Sequence, residues 1–267
     1  MKEEKKVHSY DQVKSHYERA AENRNNRLLT SKLNAAKVNH QERLKIIDSI
    51  FKRIGIVKEG IDIGTGTGVW AEMLLDYCEN ITGIDFAKEN IRISREKAAN
   101  KNLEKRLTYI EGDAEFLDGI NENYFDIATH ISVLQHLPNH ERALQGVYGV
   151  LKKKGQLIIL VHNNRCIYNR NLYLQNKRGS ITEINKYSTL EEIVYLLETT
   201  GFQIKQIRLC WFFVFDLLMI GIENPKLRPV EPFRKVLLAI ISNIAGWLGK
   251  FQVLNPLFRE IIIVAQK

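Results

Sequence analysis

The chain has 267 residues, 45% of them hydrophobic, which predicts one large domain with elaborations rather than several small domains. Its first residues are charged and contain no apolar run, so we expect a cytoplasmic protein without a secretory signal. Cys78, Cys166 and Cys210 are far apart and odd in number, which argues against a disulfide framework and against a zinc site. The formal net charge of +8 has three possible explanations: binding to nucleic acid, binding to an anionic membrane surface, or merely a basic proteome.

Residues 1–50 are polar and favour helices, and we predict two helices ahead of the core. Apolar and aromatic side chains recur there at helical spacing. They are Tyr10, Val13 and Tyr17, and then Leu44, Ile47, Ile50 and Phe51. We expect this segment to cap the remaining domain, residues 51–267, or to form a lid over its ligand site. In the second case Tyr10 or Tyr17 would face the substrate.

A glycine-rich turn joins the first predicted strand to a helix. Gly64, Gly66 and Gly68 follow the apolar residues Ile61 and Ile63, and residues 69–75 have the pattern of a helix. Glycine adopts positive φ and lets a ligand approach the backbone, and a helix N-terminus offers free N–H groups. A strand, a glycine turn and a helix in this order predict a nucleotide cradle.

Asp62, at the end of the first strand, distinguishes two kinds of nucleotide site. Gly66, Gly68 and Ala71 satisfy the G-x-G-x-x-A pattern of dinucleotide sites, so the glycines alone leave a nicotinamide oxidoreductase open. A carboxylate would repel a pyrophosphate but attract a ligand with an ammonium and a sulfonium group. We therefore favour the second kind of ligand.

Strands and helices alternate after this turn, which predicts a parallel sheet with helices on both faces. The further predicted strands are 81–85, 107–110, 124–129, 156–161, 203–210 and 261–265, and the helices are 88–100, one after Pro138, and 190–200. We predict a turn at Lys152–Gly155 and a capping box at Ser188–Glu191. Residues 162–187 form a long polar loop, and 211–258 an apolar, partly amphipathic insertion before the last strand.

Three acids end three successive predicted strands: Asp62, Asp85 and Asp113. Open α/β sheets bind ligands at the carboxyl ends of their strands, so we expect these acids at one site. Asp85 is suited to accept both hydroxyls of a ribose. Asp113 is suited to accept from an adenine amino group, and the small Ala114 leaves room for the ring.

The acid followed by glycines at 64, 66 and 68 resembles the first motif of the class I S-adenosylmethionine (SAM) methyltransferases. Four later stretches are similar to further motifs of that family. They are Glu111–Ala114, Phe125–Ile127 with Val133–Leu137, Leu151–Leu157, and Tyr187–Glu191 with Gly201-Phe202. The likeness covers residues 55–210 and the last strand. It implies a doubly wound, Rossmann-like α/β fold whose seven-stranded sheet is mostly parallel, with an antiparallel last strand.

The resemblance also implies which residues hold SAM. The glycine turn would carry the methionine part, Asp85 the ribose and Asp113-Ala114 the adenine, with backbone near His130-Ile131 closing the pocket. The residues implied in cofactor binding are Asp62, Gly64, Thr65, Gly66, Gly68, Asp85, Phe86, Asp113, Ala114 and Ile131.

Methyl transfer needs a base only where the acceptor must lose a proton, as a phenol must. His136 and His130 follow or end the fourth strand and are the candidate bases, with a structural role as the alternative. Tyr17 and His162 are the candidate substrate residues. No metal-ligand cluster is apparent in the sequence.

We expect a SAM-dependent methyltransferase acting on oxygen or nitrogen of a small, hydrophobic acceptor: a quinone, a phenol or a lipid-linked molecule. Lys37–Asn39 with Arg43-Leu44 is faintly similar to the segment ahead of the core in quinone-ring O-methyltransferases. The insertion 211–258, with its basic residues, leaves peripheral membrane contact open. The alternatives are an RNA methyltransferase, suggested by the net charge, and a protein that binds SAM or its product without catalysis.

Overall fold

The computed structural model describes residues 14, 15, 17–21, 35–166, 188–212, 240, 244, 247, 248, 250 and 256–267. Its strands are β1 (Val57–Ile63), β2 (Cys78–Asp85), β3 (Leu107–Glu111), β4 (Phe125–Ile131), β5 (Leu151–His162), β6 (Gln203–Phe212) and β7 (Phe258–Gln266). Its helices are α1 (Ala35–Ile54), α2 (Val69–Leu74), α3 (Lys88–Asn100), α4 (His140–Val150) and α5 (Leu190–Thr200), with a 3₁₀ turn at Leu134–His136. Residues 14, 15 and 17–21 are also helical.

The strands form one seven-stranded sheet in the order β3-β2-β1-β4-β5-β7-β6. Strands β1 to β5 run parallel to one another, and β7 runs antiparallel to both β5 and β6. This confirms the predicted doubly wound sheet with an antiparallel last strand. The ends of β1 to β5 therefore meet at one edge, the carboxyl edge, and the antiparallel β7 brings Glu260 there opposite His162.

Helices cover both faces of the sheet because each has one apolar stripe. On one face, α4 and α5 bury residues such as Leu144, Val147 and Ile193. On the other face, α1 to α3 bury a second apolar cluster that includes Ile47 and Phe51. The helical spacing noted near residue 50 thus reflects core packing. Because α1 continues past position 50, the division into 1–50 and 51–267 stays a prediction.

The lysine run at 152–154 is part of β5, so the predicted turn there is wrong. Phe125 pairs with Leu151 but Ile127 pairs with Gln156, so β5 bulges between these pairs. The bulge is stabilised by the chain end, since Lys154 N donates to the Lys267 carbonyl and Lys267 N to the Gly155 carbonyl, both at 3.0 Å.

Helix α5 has a capping box, but it begins one residue later than predicted. Thr189 Oγ1 accepts from Glu192 N at 3.2 Å, and Glu192 Oε2 accepts from Thr189 N at 2.8 Å. Ser188 instead forms a β-bridge with Asn163, which ties the start of α5 to the end of β5. Gly201, at a φ of 109°, ends the helix as predicted.

Several predictions concern residues outside the described part of the chain: Tyr10, the polar loop beyond position 166 and most of the insertion 211–258. Within the described ranges, no helix combines the length and the apolar character needed to cross a membrane. The three cysteines are all buried, at separate positions.

Candidate cofactor and acceptor site

The glycine turn between β1 and α2 needs its glycines for two different reasons. Gly64, Gly66 and Gly68 all have positive φ, at 72°, 56° and 79°. A Cβ at Gly64 would lie 2.3 Å from a Val133 methyl, and one at Gly68 would lie 2.2 Å from the Tyr109 hydroxyl. A Cβ at Gly66 would meet no described atom within 4 Å. The turn is therefore tightly packed at both ends and open in the middle.

Asp62 holds this turn from beneath. Its side chain is buried, and the carboxylate accepts from Thr65 Oγ1 at 2.7 Å and from Thr129 Oγ1 at 2.6 Å. Burial raises the pKa of Asp62 to about 6, although the two hydroxyl hydrogen bonds work in the opposite direction. Thr65 likewise stabilises the turn through its side chain. A direct contact of Asp62 with a ligand ammonium group stays a prediction.

Asp85, at the end of β2, is hydrogen-bonded to Gly66 in the middle of the glycine turn. Its Oδ2 accepts from Gly66 N at 2.9 Å, while Oδ1 accepts from Ala87 N at 2.9 Å and Asn90 Nδ2 at 3.0 Å. These hydrogen bonds fix the Asp85 carboxylate beside the glycine turn. Its contact with the ribose hydroxyls stays a prediction.

The other predicted cofactor residues line the same edge. Asp113 follows β3, and its Oδ1 accepts from Glu115 N at 2.8 Å. Ala114 beside it is buried, as is Ile131 at the end of β4. An open backbone at Gly66, a carboxylate at the end of β2, another just after β3, and a small residue beside the second fit a nucleoside with an amino-acid tail. The residues present therefore fit SAM.

The N-terminal helical residues lie across this edge. Tyr17 Oη and His136 Nε2 are 2.8 Å apart and share a hydrogen bond, and the two rings meet edge-on at 5.2 Å. The Tyr17 ring also lies 5.9 Å from the Phe86 ring, and Lys14 Nζ lies 3.4 Å from Glu111 Oε1. The structure thus brings together the predicted substrate residue Tyr17 and the predicted base His136. It supports a lid.

His130, the other predicted base, does not reach the site. Its side chain is fully buried beneath the start of α4, close to His140. Burial and the charge of His140 lower the pKa of His130 to about 3. Among the described residues, neither ring nitrogen of His130 has a hydrogen-bond partner. Because its position lies inside the core, the structure does not support a role as base.

His162, the second predicted substrate residue, ends β5 beside a buried ion pair. Its Nδ1 lies 3.9 Å from Glu260 Oε1. Glu260 accepts from Arg43 Nε at 2.9 Å, and a second bond joins Arg43 Nη2 to the other carboxylate oxygen. Cys210 Sγ donates to the same carboxylate at 3.4 Å. Burial lowers the pKa of His162 to about 3, against the attraction of Glu260.

Sequence reasoning missed this ion pair and one strained residue. Glu260 was visible only as an acid before an apolar strand, and its partner is 217 residues away. Ser132, directly after β4, has a φ of 58°, a conformation that costs a non-glycine residue energy and is often found at functional sites. No pattern in the sequence indicated either feature.

Comparisons with known proteins agree with this geometry. Residues 61–159 match the family model described as a methyltransferase domain. A ubiquinone biosynthesis O-methyltransferase of Psychrobacter cryohalolentis is 26% identical over 106 residues, 40% of this chain and 41% of the relative. A demethylmenaquinone methyltransferase of Porphyromonas gingivalis is 30% identical over 106 residues, 38% of this chain and 42% of the relative.

This match supports the resemblance to the class I SAM-dependent methyltransferases over residues 61–159. The chain spans about two fifths of the length of these two curated relatives. The crystal structure of the [4+2]-cyclase SpnF matches the whole fold with a TM-score of 0.63, at 18% identity over 98% of this chain and 97% of that one. A methyltransferase fold can thus carry another chemistry, and the activity must be argued from the site.

Proposed function

We propose that this methyltransferase-family chain transfers a methyl group from SAM to a small, hydrophobic acceptor of the quinone or phenol type, at oxygen or nitrogen. The observation that carries the proposal is the hydrogen-bonded Tyr17–His136 pair, which lies beside Phe86 at the edge that carries the glycine cradle. The two relatives support the acceptor class, because their names refer to ubiquinone biosynthesis and demethylmenaquinone.

The chemistry assigns a simple task to the protein. SAM supplies a methyl group on a positively charged sulfur, which is a good leaving group. For a phenolic acceptor, His136 takes the hydroxyl proton as the oxygen attacks. Tyr17 orients the imidazole through the shared hydrogen bond, and the Tyr17 and Phe86 rings exclude water. No metal is required for this scheme.

The insertion before β7 supports a lipid-like acceptor and contact with a membrane surface. Ile240, Ile244 and Trp247 are 52%, 51% and 58% exposed. They are spaced as one face of a helix, and the exposed Lys250 follows them. An apolar helical face with an aromatic residue and nearby basic charge is typical of interfacial binding.

Calorimetric titration with S-adenosylhomocysteine tests the cofactor assignment. We expect micromolar binding, and no binding of NAD as the control. Asp85→Asn should weaken the binding by about 10- to 100-fold, because charge-assisted hydrogen bonds are lost. Equal affinity for both nucleotides, or unchanged affinity in Asp85→Asn, would contradict the assignment.

Transfer of a labelled methyl group tests the acceptor class. The wild-type chain is incubated with labelled SAM and with hydrophobic phenols, reduced quinones or a lipid extract, each with and without anionic vesicles, and separately with total RNA. Label in the phenols, quinones or lipids supports the proposal, and stimulation by vesicles supports membrane contact. Label in RNA alone would favour the RNA methyltransferase. Binding of S-adenosylhomocysteine without any labelled product would favour the non-catalytic alternative.

A further inference from the structure

A buried ion pair lies at the acceptor end of the carboxyl edge. Arg43 of α1 grips the Glu260 carboxylate through two hydrogen bonds. The Glu260 side chain is 0% exposed and that of Arg43 is 18% exposed. Glu260 is followed by the fully buried Ile261, Ile262 and Ile263, so its carboxylate adjoins the apolar core of the strand.

A buried ion pair contributes little net stability to a fold. Removing two charges from water costs much of what their attraction returns, and apolar residues of similar volume often stabilise a protein equally well. A paired carboxylate at this depth therefore points to a role in the neighbouring site. His162 is a direct neighbour of the pair.

The antiparallel pairing of β5 with β7 sets His162 opposite Glu260. His162 Nδ1 lies 3.9 Å from the carboxylate, and its imidazole is close enough to His136 for their charges to interact. His136 in turn bonds Tyr17. His162 thus lies next to the Glu260 carboxylate and interacts electrostatically with the His136–Tyr17 pair.

We propose that Arg43 and Glu260 are positioning residues that hold His162 as a neutral imidazole facing the acceptor. This inference rests on the proposed function. Glu260 alone, at this distance, would favour an imidazolium. The Arg43 guanidinium cancels that charge, so His162 keeps a lone pair that accepts a hydrogen bond from an acceptor hydroxyl. A neutral ring also avoids repelling the sulfonium of SAM.

The charges around His162 agree with this assignment. Burial lowers the pKa of His162 most, Glu260 of β7 raises it, and the cations Arg43 of α1 and Arg259 of β7 lower it further. His136, from the 3₁₀ turn, also lowers it. On the far side of the carboxylate, Cys210 of β6 donates a hydrogen bond to Glu260. Arg43 is thus the cation that bonds the Glu260 carboxylate directly, and its charge also acts on His162.

Histidine NMR titration tests the pair without any knowledge of the acceptor. The His162 resonance is assigned with His162→Asn, and the full chain is titrated with pH. In Arg43→Gln the uncancelled Glu260 should raise the His162 midpoint by at least about one pH unit. The control Arg53→Gln changes an exposed arginine of the same helix, which donates to Gln206 on β6, and should leave the midpoint unchanged. An unchanged midpoint in folded Arg43→Gln would overturn the proposal.

The double variant Arg43→Gln/Glu260→Gln covers the case in which the single variant does not fold. It replaces the ion pair by two neutral amides of similar size, so no unpaired charge remains in the core. We expect the His162 midpoint to return to the wild-type range. A midpoint in the double variant that stays one unit or more above that of the wild type would overturn the proposal.

Acceptor kinetics connect the pair to catalysis. In Arg43→Gln, kcat/KM for the acceptor should fall about tenfold or more, while the affinity for S-adenosylhomocysteine stays within about twofold; the double variant should recover most of the loss. An equal loss in both variants would indicate a structural role and overturn the proposal. If the wild-type chain methylates no acceptor, the proposed function fails, whereas the titration still decides whether Arg43 and Glu260 control His162.

Discussion

The proposed cofactor side and the proposed acceptor side of the carboxyl edge are built in different ways. The cradle is local: Asp62 bonds Thr65 within one turn, and Asp85 bonds Gly66, which is 19 residues away. The acceptor side joins distant parts of the chain, since Tyr17 and His136 are 119 residues apart and Arg43 and Glu260 are 217 residues apart. We therefore expect cofactor binding to depend on short motifs and acceptor choice to depend on how the fold brings distant segments together.

The two histidines of the fourth-strand region illustrate the same difference. His130 lies in β4 and is fully buried, whereas His136, in the 3₁₀ turn beyond the strand, contacts Tyr17. In the sequence, His130 lies between the two parts of the fourth-strand motif and His136 lies within the second part. We therefore expect only His136 to meet an acceptor.

Replacement of His136 should give the largest effect and tests the acceptor side directly. Loss of a general base typically costs about 10²- to 10⁴-fold in rate, so His136→Asn should lower kcat for a phenolic acceptor by such a factor. Affinity for S-adenosylhomocysteine should hardly change, because the cradle is formed by other elements. Steady-state kinetics together with calorimetry measure both quantities.

The buried His130 provides the counterpart to that variant. His130→Asn alters the core beneath α4, so we expect a lower melting temperature with kcat largely retained at temperatures where the variant is folded. A loss of kcat in His130→Asn as large as in His136→Asn would contradict the distinction between the two histidines.

The sequence predicted the secondary structure around the glycine turn well because its signals are local. Strands β1, β2 and β3 end within two residues of Asp62, Asp85 and Asp113, and helix α3 has the predicted bounds. The lysine run at 152–154 was misjudged because its strand pairing depends on the chain end at Lys267. The partners of Glu260 were beyond sequence reasoning for the same physical reason: they come from α1 and β6, and no short-range pattern records that packing.

Asp62 should give the cradle an unusual dependence on pH. Its pKa is raised to about 6 from an ordinary value near 4, so the folded state binds more protons than the unfolded state between these values. The stability contributed by this group is therefore greatest below about pH 4 and is lost as pH rises through about 6. The loss amounts to about 3 kcal/mol by linkage, at about 1.36 kcal/mol for each unit of pKa. Urea unfolding of the wild type and Asp62→Asn between pH 4 and 7 measures it as the change in their difference.

Asp126 supplies a control of opposite sign. Although burial works against it, hydrogen bonds from Lys152 Nζ and Glu59 N lower the pKa of Asp126. Its contribution to stability should therefore be present above pH 4 and be lost as pH falls below it. Equal pH trends for Asp62→Asn and Asp126→Asn would show that Asp62 is not held in a desolvated environment beneath the turn.

Gly66→Ala should have the smallest effect and tests whether a ligand uses the open centre of the cradle. Its φ of 56° costs alanine about 1 kcal/mol, yet a Cβ there meets no described atom within 4 Å. Gly119 is a matched control, since its φ is 74° and its Cβ would also enter space free of described atoms. Both variants should lose similar stability in urea unfolding. Only Gly66→Ala should weaken S-adenosylhomocysteine binding, by about tenfold or 1.4 kcal/mol, because its methyl group occupies the space above the backbone. Equal affinities in the two variants would mean that the ligand does not approach Gly66, and the cradle would then act through its acids alone.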